Sequence, residues 1–249
     1  MTDGSRPGVA AFDFDGTLTR GGSVVPFLVS VRGPVPVVRA VVSELPRLIH
    51  AAVAGGTASD AAKERLFIRL LAGLPVADVE RAGAEFAAAH LRRHARRDTR
   101  ARLEWHRAQG HRIVVVSASP ECYVRPAAEL LGADAALATR LEASGDLLTG
   151  RYEGRNCRGS EKYARLMGWI RAAGLGAARP EVWAYGNSRG DCRLLEGADH
   201  GVDAGRLGRL GRLRRFPRLA DVTQAAQRPT AQAAPPAAGT GDPVADPSR

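Results

Sequence analysis

Two aspartates one residue apart close a short apolar run, and the residues that follow turn the chain: Asp13-Phe14-Asp15-Gly16-Thr17. Side chains alternate along extended backbone, so the two carboxylates leave in different directions and can take separate jobs. One suits attack on phosphorus, the other the proton of a leaving group. Like charges this close repel, and a divalent cation between them makes the arrangement useful. The four fixed positions of DxDGT arise by chance roughly once in several hundred chains of this length.

A second candidate site follows the run RIVVVS, at Ser117-Ala118-Ser119-Pro120. A hydroxyl at a strand's carboxyl end, then exposed backbone N–H groups and a proline opening a helix, make an anion pocket. Ser117 and the Ala118 backbone read as phosphate contacts, and Ser119 reads as a helix N-cap. Lys162 lies in the first turn of a predicted helix, where the helix dipole disfavours a cation, so it needs an anionic partner. After EVWAYG come Gly186-Asn187-Ser188-Arg189-Gly190-Asp191, which offer oxygen ligands, Asn187 and Asp191 among them, at another strand end. The plainer alternative there is a polar strand-to-helix turn with Asp191 near a helix start.

Elements must bring these residues together. Val9 to Phe14, Arg112 to Ser117, Glu181 to Gly186 and, more weakly, His200 to Asp203 read as buried parallel strands. Helical signals lie between them: Asp98 as cap of a helix closed by Gly110, and Ser160 as cap of one that buries Tyr163, Met167 and Ile170 and stops at Gly174. Strands alternating with helices predict an α/β fold with a doubly wound parallel sheet. The roughly ninety residues between the first two strands exceed what a crossover needs and predict an inserted helical cap. Within it Ser59 caps a helix with Ala62, Leu66 and Leu70 on one face, and Pro75 opens another with Val79, Ala82, Phe86 and Ala89. Arg140 to Tyr152 reads as a hairpin leaving the core.

The chain has 249 residues, 36 Lys plus Arg against 26 Asp plus Glu, and a net charge of +10. That length buries a core without disulfides, and Cys122, Cys157 and Cys192 show no metal-ligand spacing, so reduced thiols are expected. No apolar run is long enough to span a bilayer and the start lacks a signal peptide, which predicts a cytoplasmic protein. The charge favours anionic partners, although a coding bias toward Arg gives the same balance. Six arginines and no acid lie between Arg206 and Arg218, a basic strap that either touches an anionic membrane or is pinned to the core by its leucines. With Phe216 its only aromatic residue, the strap argues against nucleic acid. The stretch from Ser23 to Gly55 is unusually apolar and reads either as packing inside the cap or as a lipid-facing surface.

In order, DFDGTLT, SASP, Lys162 and GNSRGD resemble the haloacid-dehalogenase (HAD) superfamily of phosphohydrolases, in subfamily IB, which contains the phosphoserine phosphatases. The resemblance runs from about Val9 to Asp203. It implies a Rossmann-like HAD core over residues 1–20 and 101–223 and a helical cap over 21–100; residues 224–249, with eight Ala, five Pro and Val244 as their one larger aliphatic side chain, read from composition as a disordered tail. It further implies a phosphomonoester phosphatase: Asp13 as the nucleophile that forms an aspartyl phosphate, Asp15 as general acid and base, and Ser117, Ala118 and Lys162 on the phosphoryl group. Mg²⁺ would be held by Asp13, the Asp15 carbonyl, and Asn187 and Asp191 of the fourth motif. The family's usual first acid of that motif is Asn187 here. The substrate is then a small phosphorylated metabolite or a lipid phosphate; the alternative is a binding or regulatory protein that turns over poorly.

Overall fold

In a computed structural model the chain runs β1 (Gly8–Phe12), α1 (Val24–Arg32), α2 (Pro34–Ala54), α3 (Gly56–Leu71), α4 (Val76–His94), α5 (Arg97–Ala108), β2 (Arg112–Pro120), α6 (Glu121–Leu130), β3 (Ala135–Thr139), β4 (Leu141–Ser144), β5 (Leu147–Tyr152), α7 (Ser160–Ala172), β6 (Glu181–Gly186), α8 (Cys192–Gly197) and β7 (His200–Asp203). The structure describes residues 7–54, 56–177, 179–205 and 215–222. The tail beyond 222 and most of the basic strap, residues 206–214, lie outside them.

Five parallel strands pair in the order β3-β2-β1-β6-β7. β1 is central and buried along its whole length, which is why it reads as an unbroken apolar run. The chain moves from β1 to β2 and β3 on one side, then returns to lay β6 and β7 on the other. Strand order therefore reverses beside β1, and the crevice at the carboxyl ends of β1 and β6 is where an open α/β sheet takes its ligand. Phe12 lies opposite Tyr185 across that pair.

The expected doubly wound sheet is present, with changes of detail. β1 stops at Phe12, so both aspartates sit in the turn beyond it, and β2 continues through Pro120. β3 is an additional strand whose sequence, AALAT, carries little strand propensity. Three expected caps move. Arg96 precedes α5 and Asp98 pairs with it at 2.6 Å; Ser59 lies inside α3; Ser160 is the first residue of α7, after Gly159 in a left-handed conformation (φ 61°). α7 buries Lys162, Leu166 and Ile170, one residue round from the expected face.

Helices α1 to α4 fill the long insertion, and α5 runs through the expected junction at residue 100. α4 starts after Pro75 and buries Val79, Gly83, Ala87 and His90. The hairpin β4–β5 leaves the core as expected and packs on α3: the Tyr152 N–H donates to Glu64 Oε1 at 2.9 Å. Gly150 (φ +77°) lies so close to Ile68 that a Cβ would come within 2.4 Å of its backbone. Phe14, the residue between the two aspartates, turns away from them into a cluster with Tyr123, Phe27, Phe86 and His90. The turn that carries the acids is thereby anchored in the helical layer. Past the strap, Leu219 is buried in the same core, and the Asp203 N–H donates to the Pro217 carbonyl at 2.9 Å. No helix among the described residues is long and apolar enough to cross a membrane.

Candidate active site

Backbone hydrogen bonds make the turn after β1. The Asp13 N–H donates to the Tyr185 carbonyl at 2.9 Å, and the Leu18 and Thr19 N–H groups close back onto the Phe14 carbonyl at 2.9 and 3.0 Å. Gly16 has φ +78°, and a Cβ there would come within 2.0 Å of the Asn187 side chain. Glycine is needed both for the turn and for the approach of the fourth motif.

Asp13 is buried, and its Oδ1 accepts from Lys162 Nζ at 2.5 Å. The same ammonium donates to Asp191 Oδ1 at 2.5 Å, so the cation misplaced in the first turn of α7 finds two carboxylates. Burial pushes the Asp13 carboxyl up to about 7, helped by the charge of Asp191 and opposed by Lys162. Burial works against the Lys162 charge as well, but Asp13 and Asp191 outweigh it and hold its pKa above the ordinary value. A cation beside Asp13 would reverse the rise, because an ion's charge dominates the local field.

Asp15 carries a different load. Its Oδ2 accepts from the Ser119 hydroxyl at 2.5 Å, while its Oδ1 is buried without a partner among the described residues. Ser119 is therefore no N-cap; Pro120 precedes α6, and the Ser119 hydroxyl turns back across the sheet edge to Asp15. The Ser119 N–H donates to Ser117 Oγ at 3.1 Å, which bends the SASP segment around the Ser117 hydroxyl. The Ala118 carbonyl accepts from Lys63 Nζ at 2.7 Å and from Thr139 Oγ1 at 2.9 Å.

In the fourth motif, Asn187 and Asp191 face different partners. Asp191 Oδ2 accepts from the Asn187 N–H, the Ser188 N–H and the Ser188 hydroxyl at 3.2, 3.0 and 2.8 Å, and its Oδ1 holds Lys162. Both oxygens accept from donors, so Asp191 braces the turn and the lysine. Asn187 meets the first motif instead: one terminal atom of its amide lies 3.2 Å from Asp13 Oδ2 and 3.1 Å from the Asp15 carbonyl. With nitrogen there, the amide donates to both. With oxygen there, it accepts from Thr17 Oγ1 at 3.4 Å and three oxygens converge, an arrangement that a cation stabilises. That donor set is all oxygen, the preference of Mg²⁺, so the residues fit the ion.

Three residues that bear on the site carry no motif. Buried Arg96 donates to the carbonyls of Gly16 and Ala204 at 2.5 and 2.6 Å, and Thr99 Oγ1 donates to the Thr17 carbonyl at 2.9 Å. The start of α5 thus holds the first motif's turn. Lys63, from α3, reaches the phosphate-loop candidate at Ala118 and also donates to Asn156 Oδ1 at 3.3 Å.

Comparison with known proteins follows the same line. The model of haloacid dehalogenase-like hydrolases matches residues 10–196. Protein CicA of Caulobacter vibrioides is 36% identical over 201 residues, covering 79% of this chain and 85% of CicA. A protein of unknown function from Bordetella pertussis Tohama I superposes with a TM-score of 0.70 at 23% identity, over 89% of this chain and 96% of that one. A structure described as a phospho-aspartyl intermediate analogue of phosphoserine phosphatase superposes with a TM-score of 0.58 at 22% identity, over 80% and 87%.

Proposed function

We propose, on the premise that this chain belongs to the haloacid dehalogenase-like hydrolase family, that it is a Mg²⁺-dependent phosphomonoester phosphatase working through an aspartyl phosphate on Asp13. The observation that carries the reading is the unequal loading of the two aspartates. Asp13 lies against an ammonium, whereas Asp15 keeps one buried oxygen without a partner among the described residues.

In the first step a carboxylate oxygen of Asp13 forms a bond to phosphorus while the bond from phosphorus to the leaving oxygen breaks. Asp15, held by Ser119, gives its proton to that leaving oxygen. In the second step Asp15 takes a proton from water, which attacks the aspartyl phosphate and releases inorganic phosphate. Lys162 and the backbone N–H groups around Ser117 and Ala118 hold the phosphoryl oxygens as charge develops. Asp13, the Asp15 carbonyl and Asn187 would hold Mg²⁺, whose chemistry is to neutralise charge between carboxylate and phosphate. Asp191 keeps Lys162 in position.

The substrate class stays at two members, a small phosphorylated metabolite and a lipid phosphate, and the charge of +10 supports an anionic partner for either. The basic strap would add contact with an anionic membrane.

The test is hydrolysis of p-nitrophenyl phosphate with Mg²⁺. Wild-type protein should turn over and Asp13→Asn should lose more than about a thousandfold, since the amide keeps the shape but is a poor nucleophile. Equal turnover by both overturns the mechanism. Phosphate binding without turnover in the wild type assigns the pocket to a binding protein.

A further inference from the structure

The apolar stretch that begins at Ser23 does not all pack inward. α2 puts Val37, Ala40 and Glu44 against the rest of the protein, and over residues 34–47 the opposite side of the helix is open. Val35, Val38, Val42 and Leu45 are 66%, 58%, 61% and 47% exposed. Their spacing of three and four residues aligns them in one stripe about 15 Å long. A soluble helix facing water carries polar residues there, so the stripe calls for an occupant.

Charge selects which. Between Gly16 and Ser59 the sequence has one acid, Glu44. That residue is buried and already held by Arg65 at 3.3 Å, Arg47 at 3.4 Å and Arg69 at 3.6 Å. Along one edge of the stripe Arg32, Arg39 and Arg69 line an open depression with Val35, Pro36 and Ser43. Arg32 and Arg39 are exposed and meet no carboxylate among the described residues. A second copy seated on this face by two-fold symmetry would bring arginine against arginine without a free acid to separate them. An apolar stripe beside Arg32 and Arg39 instead has the two halves of an interfacial helix: one face for acyl chains, an adjoining edge for anionic headgroups.

We propose that the exposed face of α2, with the Arg32–Arg39–Arg69 depression beside it, is a docking surface for an anionic bilayer. α2 lies in the plane of the membrane, the valines and Leu45 enter the headgroup boundary, and the arginines meet lipid phosphates. This surface is distinct in sequence from the basic strap and independent of the proposed catalytic reaction.

Flotation of the full chain with vesicles tests it, using phosphatidylcholine containing about 30% phosphatidylglycerol against pure phosphatidylcholine at ~0.1 M salt. Wild-type protein should bind the anionic vesicles alone. Val38→Asp with Val42→Asp changes two exposed side chains, and should weaken binding at least tenfold while p-nitrophenyl phosphate turnover stays unchanged. Arg32→Gln with Arg39→Gln should weaken it as well. A strap variant, Arg209→Gln with Arg212→Gln, should retain binding that is still lost on adding the two aspartates. Absence of wild-type binding, or full binding by the Val38→Asp, Val42→Asp protein, overturns the proposal. So does a concentration-dependent dimer in sedimentation that this variant abolishes, which would give the face to a second copy.

Discussion

Asn187 occupies the position where a neutral side chain replaces a customary acid, and its surroundings state the consequence. Its amide lies about 3 Å from two oxygens of the first motif, so a carboxylate at 187 would put a second negative charge beside Asp13. Without metal that is repulsive; with Mg²⁺ it is an additional anionic ligand. Asn187→Asp should therefore lower the thermal midpoint in EDTA and raise it above the wild-type value in Mg²⁺, while reducing the Mg²⁺ needed for half-maximal activity several-fold. A midpoint that ignores Mg²⁺ in both proteins would remove Asn187 from the coordination sphere. Ser119 offers a second check at the same scale. Among the described residues its hydroxyl is the single hydrogen-bond donor on Asp15 Oδ2, and a hydrogen bond to a charged group contributes about 1.5–3 kcal/mol. Ser119→Ala should reduce kcat by roughly ten- to a hundredfold for an alkyl phosphate, whose leaving oxygen needs the proton. For p-nitrophenyl phosphate the loss should be smaller.

The elements meet across Lys63. From α3 its ammonium reaches the Ala118 carbonyl at the end of β2 and Asn156 in the segment before α7, so one side chain ties the helical layer to the phosphate-loop candidate. Burial pulls its pKa down to about 8, against the opposing charge of Asp60. The charged donor is then present below pH 8 and lost above it. The KM of the wild type should rise as pH passes through about 8, and Lys63→Met should start with the higher KM and show no such rise. An identical pH profile in both proteins would leave Lys63 a packing residue. None of this was legible beforehand, and the reason is distance. Lys63 and Arg96 look like ordinary helix-surface cations because their partners, Ala118 and Gly16, are backbone carbonyls 55 and 80 positions away. Ser119 looks like a cap because Asp15 lies 104 positions away. The central strands were legible because burial on both faces writes an uninterrupted apolar run that ends in the chemistry it delivers. β3 was not, since alanines record neither burial nor extension. The valines of α2 show the limit from the other side, because composition registers how apolar they are and nothing about which way they face.

At the scale of the whole molecule, sheet and α5 are joined by a chain of polar groups set in an aromatic stack. Phe12 stacks on Tyr185 with ring centres 4.4 Å apart, and Arg102 Nε donates to the Tyr185 hydroxyl at 2.7 Å. That hydroxyl lies 2.8 Å from His106 Nε2, and His106 Nδ1 lies 2.8 Å from His111 Nδ1. Every group is satisfied if the tyrosine donates to a neutral His106 whose Nδ1–H donates onward to His111. A proton added to His106 Nε2 takes away the acceptor of the tyrosine O–H and faces Arg102. Burial, then Arg102 and His111, accordingly push the His106 pKa down to about 2. The sign follows from linkage: the unfolded chain takes up this proton near pH 6.5 and the folded chain does not until about pH 2, so the stability present above pH 6.5 is lost steadily below it. One proton gives about 1.4 kcal/mol per pH unit, or about 2 kcal/mol between pH 6.5 and 5. For a domain of this size that lowers the thermal midpoint by roughly 4–8 °C. α5 also carries Thr99, and Arg96 just precedes it, both gripping the first motif's turn, so thermal inactivation at pH 5 should set in at a correspondingly lower temperature. His106→Gln cannot take up the proton, and should start less stable at pH 7 but lose distinctly less between pH 7 and 5. Parallel losses in the two proteins by differential scanning calorimetry would mean that the acid sensitivity belongs to other groups.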